Sequence, residues 1–332
     1  MIARPMSMLA RRAVGRCMSR ATTATAAASA SATYTAAVGA RRVFVARSHS
    51  TATPATPASD AAQDSYLTLP SASGTPADSA DSAGIAVLTL NRAAAKNALS
   101  RSLLSQLRTS IDTLRTLPPG AARVVIVRST VDKVFCAGAD LKERKSMTPA
   151  EVSAFVTQLR ETFSMLANLP MPTIAAIDGA ALGGGLELAM CCDLRTAGPG
   201  AKVGLPETKL AIIPGAGGSQ RLPRLVGVPI AKELMFTGRV LNAQEAQAIG
   251  LVNRVGTESA FDAAMALARE ITPQGPVALR MAKWAIDKGT EVDLASGLKV
   301  EEMCYAQVIP TKDRLEGLKA FAEKRKPEYK GE

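Results

Sequence analysis

The sequence predicts an α/β fold, and three observations predict it. Short apolar runs rich in Val and Ile alternate with longer segments of helical periodicity between residues 84 and 258. The runs are apolar on both faces, as in buried parallel strands. From residue 259 onward the pattern turns almost entirely helical. In chain order, "GIAVLTL" (84–90) reads as the first strand. The loop "NRAAAKNALS" leads into a helix with Leu99, Leu103, Leu104, Leu107, Ile111 and Leu114 on one face, and "LPPG" (117–120) stops it. "RVVIVRS" (123–129) is a second strand, and "VFCAGADLKER" a glycine-containing turn into a polar segment. Residues 149–168 form an amphipathic helix, opened by Thr148 and Pro149 with Glu151 in its first turn. "PTIAAIDG" (172–179) is a third strand, followed at once by glycines and a helix. "DLRTAGP" and "AKVGLPE" are further short strands. Helices are expected over 259–271, 276–288, 291–307 and 312–325, a layer suited to packing or assembly.

Composition narrows the function classes. The 332 residues carry a formal charge of +11, which invites a nucleic-acid reading. Yet residues 1–59 hold eight arginines (Arg4, Arg11, Arg12, Arg16, Arg20, Arg41, Arg42 and Arg47) with no lysine and no acid. Setting these eight aside leaves 32 basic residues against 29 acidic ones, a net of +3. An Arg-, Ser-, Thr- and Ala-rich leader without acids has the composition of an organellar transit peptide. We expect a transit peptide over 1–50, cut between Arg42 and Ser50, and a flexible lead-in over 51–83. The only histidine, His49, falls at the leader's end, so the mature chain is expected to have none. That excludes Ser-His-Asp and Cys-His mechanisms and histidine metal sites, and no metal is expected. Cys136, Cys191, Cys192 and Cys304 form no CxxC pair and read as buried thiols. The most apolar stretch, Ile174 to Cys192, is interrupted by Asp178, Glu187 and four glycines, so no membrane span is expected.

Chemistry concentrates in three segments. In "GAALGGGLELAMCCD" (179–193) three glycines follow a strand and open a helix whose first turn holds Glu187. A helix N-terminus presents unpaired N–H groups and can hold an oxyanion, although a glycine run can equally serve close packing. Glu207 follows Pro206 and precedes a glycine loop (215–218). Two glutamates around one cavity can share a water, one accepting its proton and the other protonating carbon. Taken alone, Glu207 also reads as an exposed loop acid. In "FCAGAD" (135–140), Gly138 permits a turn that could aim the Ala139 N–H into a cavity. "GAGGSQ" (215–220) lacks the Lys-Ser/Thr ending and the G-x-G-x-x-G spacing of nucleotide loops.

Taken in order, "FCAGADLKE", "IAAIDGAALGGGLELAMCCDLRTA", "GLPETKLAIIPGAGGSQRLPR" and "TKDRLEGLKAFAEKRKPEYKG" resemble the enoyl-CoA hydratase/isomerase (crotonase) family, with the likeness spanning 84–332. The resemblance implies a spiral of ββα turns over 84–258 and a C-terminal helical trimerisation region over 259–332. It implies a homotrimer or hexamer and an acyl-CoA substrate, with coenzyme A as part of that substrate and no separate cofactor. The thioester oxygen would sit between the N–H groups of Ala139 and Gly184. Glu187 and Glu207 match the family's catalytic glutamates, and having both favours hydration over isomerisation. Lys96, Ala137, Asp140, Leu141 and Lys142 match segments that contact coenzyme A. Within the family, "NRAAAKNALS", "CAGADLKER" and "YAQVIPTKDRLEGL" most resemble a mitochondrial-matrix branch acting on a branched enoyl-CoA of leucine breakdown. That substrate carries a distal carboxylate, for which Lys142, Arg144 or a neighbouring subunit's cation could serve. A straight-chain enoyl-CoA is the alternative. RNA is a second alternative through Lys96, Arg101 and Arg108, but this helix lacks both aromatics and a dense basic face.

Overall fold

A computed structural model describes residues 63–70 and 83–332. Two sheets organise the described chain. The larger has six strands: β1 (Ser65–Thr68), β2 (Ile85–Leu90), β3 (Val124–Ser129), β5 (Thr173–Ile177), β7 (Leu194–Ala197) and β10 (Arg254–Val255), in that spatial order. The smaller runs β4 (Val134–Cys136), β6 (Ala180–Leu182), β8 (Lys202–Gly204) and β9 (Val240–Asn242). All pairs are parallel except β1 with β2 and β8 with β9. From β3 to β8, each turn of the chain lays one strand in the large sheet and one in the small sheet, then leaves through a helix. This is the expected succession of ββα turns.

Two cores account for the all-apolar strands. Along β2, β3 and β5, Ala86, Leu88, Leu90, Val125, Val127, Ala175 and Ile177 face one core. There they meet α1 (Arg101–Thr116) through Leu103, Leu107, Ile111 and Leu114. The same core takes Phe155, Leu159, Phe163 and Leu166 from α3 (Pro149–Ala167). The alternate residues Ile85, Val124, Ile126, Ile174 and Ala176 face a second core closed by α8 (Ala260–Ile271). Period-two alternation therefore carries apolar side chains to both faces.

The helix starts follow their caps. Ser100 accepts from the Leu103 N–H to open α1. Thr148 and Glu151 form a reciprocal capping box at the start of α3, with Pro149 in the first turn. Asp140 caps the short α2 (Leu141–Lys145). After α4 (Gly184–Ala189) come α5 (Gly218–Val226), α6 (Val228–Thr237) and α7 (Ala243–Ala248). The last three helices are α9 (Pro276–Gly289), α10 (Leu294–Val308) and α11 (Lys312–Glu323).

The structure departs from several expectations. The lead-in over 51–83 contains β1, which pairs antiparallel with β2 from Ser65 opposite Leu90 to Thr68 opposite Val87. Its Ser65 N–H donates to the Gln106 side chain on α1 at 2.8 Å. The strand read over 172–179 does not pass directly to the glycines, because β6 intervenes in the second sheet. The "VFC" of the expected turn is β4. Strands of three residues are too short to show alternation, so they leave no periodic signal. The helices α5 to α7 have no counterpart among the expected elements, and Pro223 lies inside α5. The third C-terminal helix starts at Leu294 rather than 291, after its Asp293 cap. The expected transit peptide lies outside the described residues. No described helix is long and apolar enough to cross a membrane.

Candidate active site

The site is built where β6 hands over to α4. Gly183 has φ 52° and ψ −125°, a conformation that only glycine adopts readily. A Cβ there would also lie 3.1 Å from Oε1 of Glu207. The Gly183 carbonyl accepts the Glu187 N–H at 3.0 Å, so the first helical turn fixes Glu187. Glu187 is only 3% exposed. Its Oε1 accepts from the N–H groups of Ala216 (2.8 Å) and Gly218 (2.7 Å). The glycine loop 215–218 is therefore a cradle for this carboxylate. Burial pushes the Glu187 carboxyl up, opposed by those two N–H donors and by the charges of Arg144 and Arg221.

Glu207 arrives from another element. Pro206 precedes a single 3₁₀ turn, Glu207–Leu210, which closes at Ala211 with φ 55°. Oε2 of Glu207 is buried with no hydrogen-bond partner among the described residues. Burial raises its carboxyl to about 7, and the nearby Glu187 charge acts in the same direction. The two carboxyls thus differ in kind. One is held by two donors, and the other is left with an orphan oxygen that favours the protonated form.

The 137–140 loop faces α4. Gly138 has φ 92°, and a Cβ on it would lie 3.4 Å from the Gly184 nitrogen. A Cβ on Gly184 would lie 3.9 Å from the Ala139 nitrogen. The 137–140 loop and the first residue of α4 thus bring these two amides into one neighbourhood. Among the described residues, neither donates to a carbonyl. The loop is strapped to the segment before α1. Ala137 N–H donates to Lys96 O (3.1 Å), Leu99 N–H to Gly138 O (2.7 Å) and Asp140 N–H to Leu99 O (3.2 Å).

The expected coenzyme A contacts divide into two groups. Lys96, Ala137, Leu141 and Lys142 are exposed around this loop. Asp140 is 8% exposed, and its carboxylate is already engaged. It accepts from the Lys142 and Glu143 N–H groups and pairs with Arg92 at 2.8 Å. Its side chain holds the loop rather than facing solvent. Asn97 was missed by sequence reasoning. It is fully buried at φ 53°, donates to Ser129 Oγ and Phe135 O, and accepts from the Arg92 N–H. The sequence signal was available, since Asn is among the few non-glycine residues suited to a left-handed position. Cys136, Cys191, Cys192 and Cys304 are buried and free.

The family model described as enoyl-CoA hydratase/isomerase matches residues 80–332. The chain belongs to the enoyl-CoA hydratase/isomerase family. It is 58% identical over 254 residues to a protein of Homo sapiens named methylglutaconyl-CoA hydratase, mitochondrial, covering 75% of this chain and 74% of that one. It is 54% identical over 254 residues to a probable enoyl-CoA hydratase 2, mitochondrial, of Arabidopsis thaliana, covering 76% and 84%. Among solved structures, an enoyl-CoA hydratase from Bacillus anthracis aligns with a TM-score of 0.74 at 47% identity, covering 80% of this chain and 99% of that one. Family membership carries an acyl-CoA substrate with it.

Proposed function

We propose that this family member adds water across the α,β double bond of 3-methylglutaconyl-CoA, giving 3-hydroxy-3-methylglutaryl-CoA. The observation that carries hydration is the unlike pair of carboxyls, Glu187 cradled by two N–H donors and Glu207 with an orphan oxygen. The thioester oxygen lies between the amides of Ala139 and Gly184, which stabilise the enolate. Donors of this kind contribute about 3–4 kcal/mol each. Water attacks the β-carbon while ionised Glu187 takes its proton. Protonated Glu207 then delivers a proton to the α-carbon. One proton returned from Glu187 to Glu207 resets the pair, so the net change is the addition of one water.

The choice of acyl chain rests on the relatives named for methylglutaconyl-CoA. The mitochondrial names of these relatives and the acid-free leader support a matrix location. We read residues 1–50 as the transit peptide, 84–258 as the spiral core and 259–332 as the assembly region. RNA is not assigned as a partner, because Arg101 and Arg108 pair with Glu151 and Glu161 across α1 and α3, at 3.1 and 3.7 Å. The test is kcat/KM on 3-methylglutaconyl-CoA against crotonyl-CoA. We expect the first to be larger, and a strong crotonyl preference would overturn the choice of chain.

A further inference from the structure

A distal carboxylate must lose water when it enters a closed acyl pocket, and that costs free energy unless a cation meets it. Arg144, in the last turn of α2, has the attributes of such a cation. It is half-buried, and its Nε is buried with no hydrogen-bond partner among the described residues. Its guanidinium stacks over the Phe155 ring at 5.1 Å from the centroid, which orients the fork without using its donors. It lies close enough to Glu187 for the two charges to act on each other. The neighbourhood is continuous with the glutamate cradle. Val156, next to Phe155, would touch a Cβ on Gly215 at 3.0 Å, and the following residue, Ala216, donates to Glu187.

Two other charged groups bear on this pair, the Glu143 charge on Arg144 and the Arg221 charge on Glu187. Glu143 turns its Oε2 to the Arg101 N–H at 3.1 Å. Lys142 is exposed on the outside of α2. Arg221 lines a separate cavity of about 430 Å³ with Cys191, Arg224 and Glu291.

Resting on the hydratase reading above, we infer that Arg144 is the specificity-determining residue that binds the distal carboxylate of the acyl chain. Its planar fork matches a carboxylate in a bidentate pair, with Phe155 as the backing surface. The competing role for Arg144 is support of the Glu187 charge alone. A cycle between residue and substrate separates the two. Wild-type enzyme and Arg144→Met would each be assayed on 3-methylglutaconyl-CoA and on its distal carboxamide analogue. We expect the wild type to prefer the carboxylate by roughly 30-fold or more in kcat/KM, and Arg144→Met to lose that preference. Equal losses on both substrates would overturn the inference, because a group acting through Glu187 affects both alike. A wild-type preference that survives in Arg144→Met overturns it too, leaving the hydratase reading intact. No wild-type preference for the carboxylate would overturn the choice of chain as well. Should Arg144→Met fold poorly, Arg144→Lys serves in the same cycle, with a smaller loss of preference expected.

Discussion

Glu207 ties catalysis to stability through one proton. Burial pushes its carboxyl up to about 7 in the fold, against an ordinary value of 4.5. Between those values the folded protein holds a proton that the unfolded chain releases. The group's contribution is therefore fully present below pH 4.5 and is lost as pH rises through about 7. The loss amounts to about 1–3 kcal/mol, the lower part reflecting partial exposure. Glu207→Gln removes this titration. It should gain stability relative to wild type between about pH 5 and pH 8 in urea unfolding, and an equal difference at both ends would refute the assignment. The same variant should lower hydration by roughly 100- to 10,000-fold. In the wild type, hydration should decline above about pH 7, with an apparent midpoint that belongs to the coupled pair of glutamates. The presence of two glutamates was legible in the sequence. Their inequality was not, because the donors to Glu187 come from residues 216 and 218, which only folding brings near.

At the scale of elements, the strand-to-helix junction is the fragile part. Gly183→Ala would force a Cβ into a glycine conformation and against the Glu207 carboxyl at 3.1 Å. Strain of this kind costs about 1–3 kcal/mol. We expect a lower melting temperature together with a loss of kcat of roughly tenfold or more, since the methyl displaces Glu207. Unchanged stability and turnover would remove this account. The glycine run was conspicuous in the sequence, but its division of labour was not. The long strands were legible as continuous apolar runs, because both of their faces are buried, and α1, α3 and α8 were legible because one-sided burial imposes a helical period on them. Of the four three-residue strands among the described residues only β8 was read, within "AKVGLPE"; β4, β6 and β9 carry no period, and β1 sits in a polar, proline-rich stretch.

For the whole molecule, the C-terminal helices leave a surface that one chain does not cover. No residue of α9 is buried, and α10 buries only Cys304. Trp284, Leu298, Met303 and Tyr305 are exposed, as are Leu294 at 78% and Phe321 at 86%. Helical periodicity predicted these apolar faces but could not say whether the same chain or another would cover them. Apolar area on this scale marks an interaction surface, and the family resemblance points to copies of the same chain. We expect the protein to be a trimer or hexamer, with melting that rises with concentration. Placing charge on that surface, as in Leu298→Glu with Phe321→Glu, should give smaller species by light scattering after size-exclusion chromatography. A wild type that elutes as a monomer at micromolar concentration would overturn this, and these helices would then need a different partner.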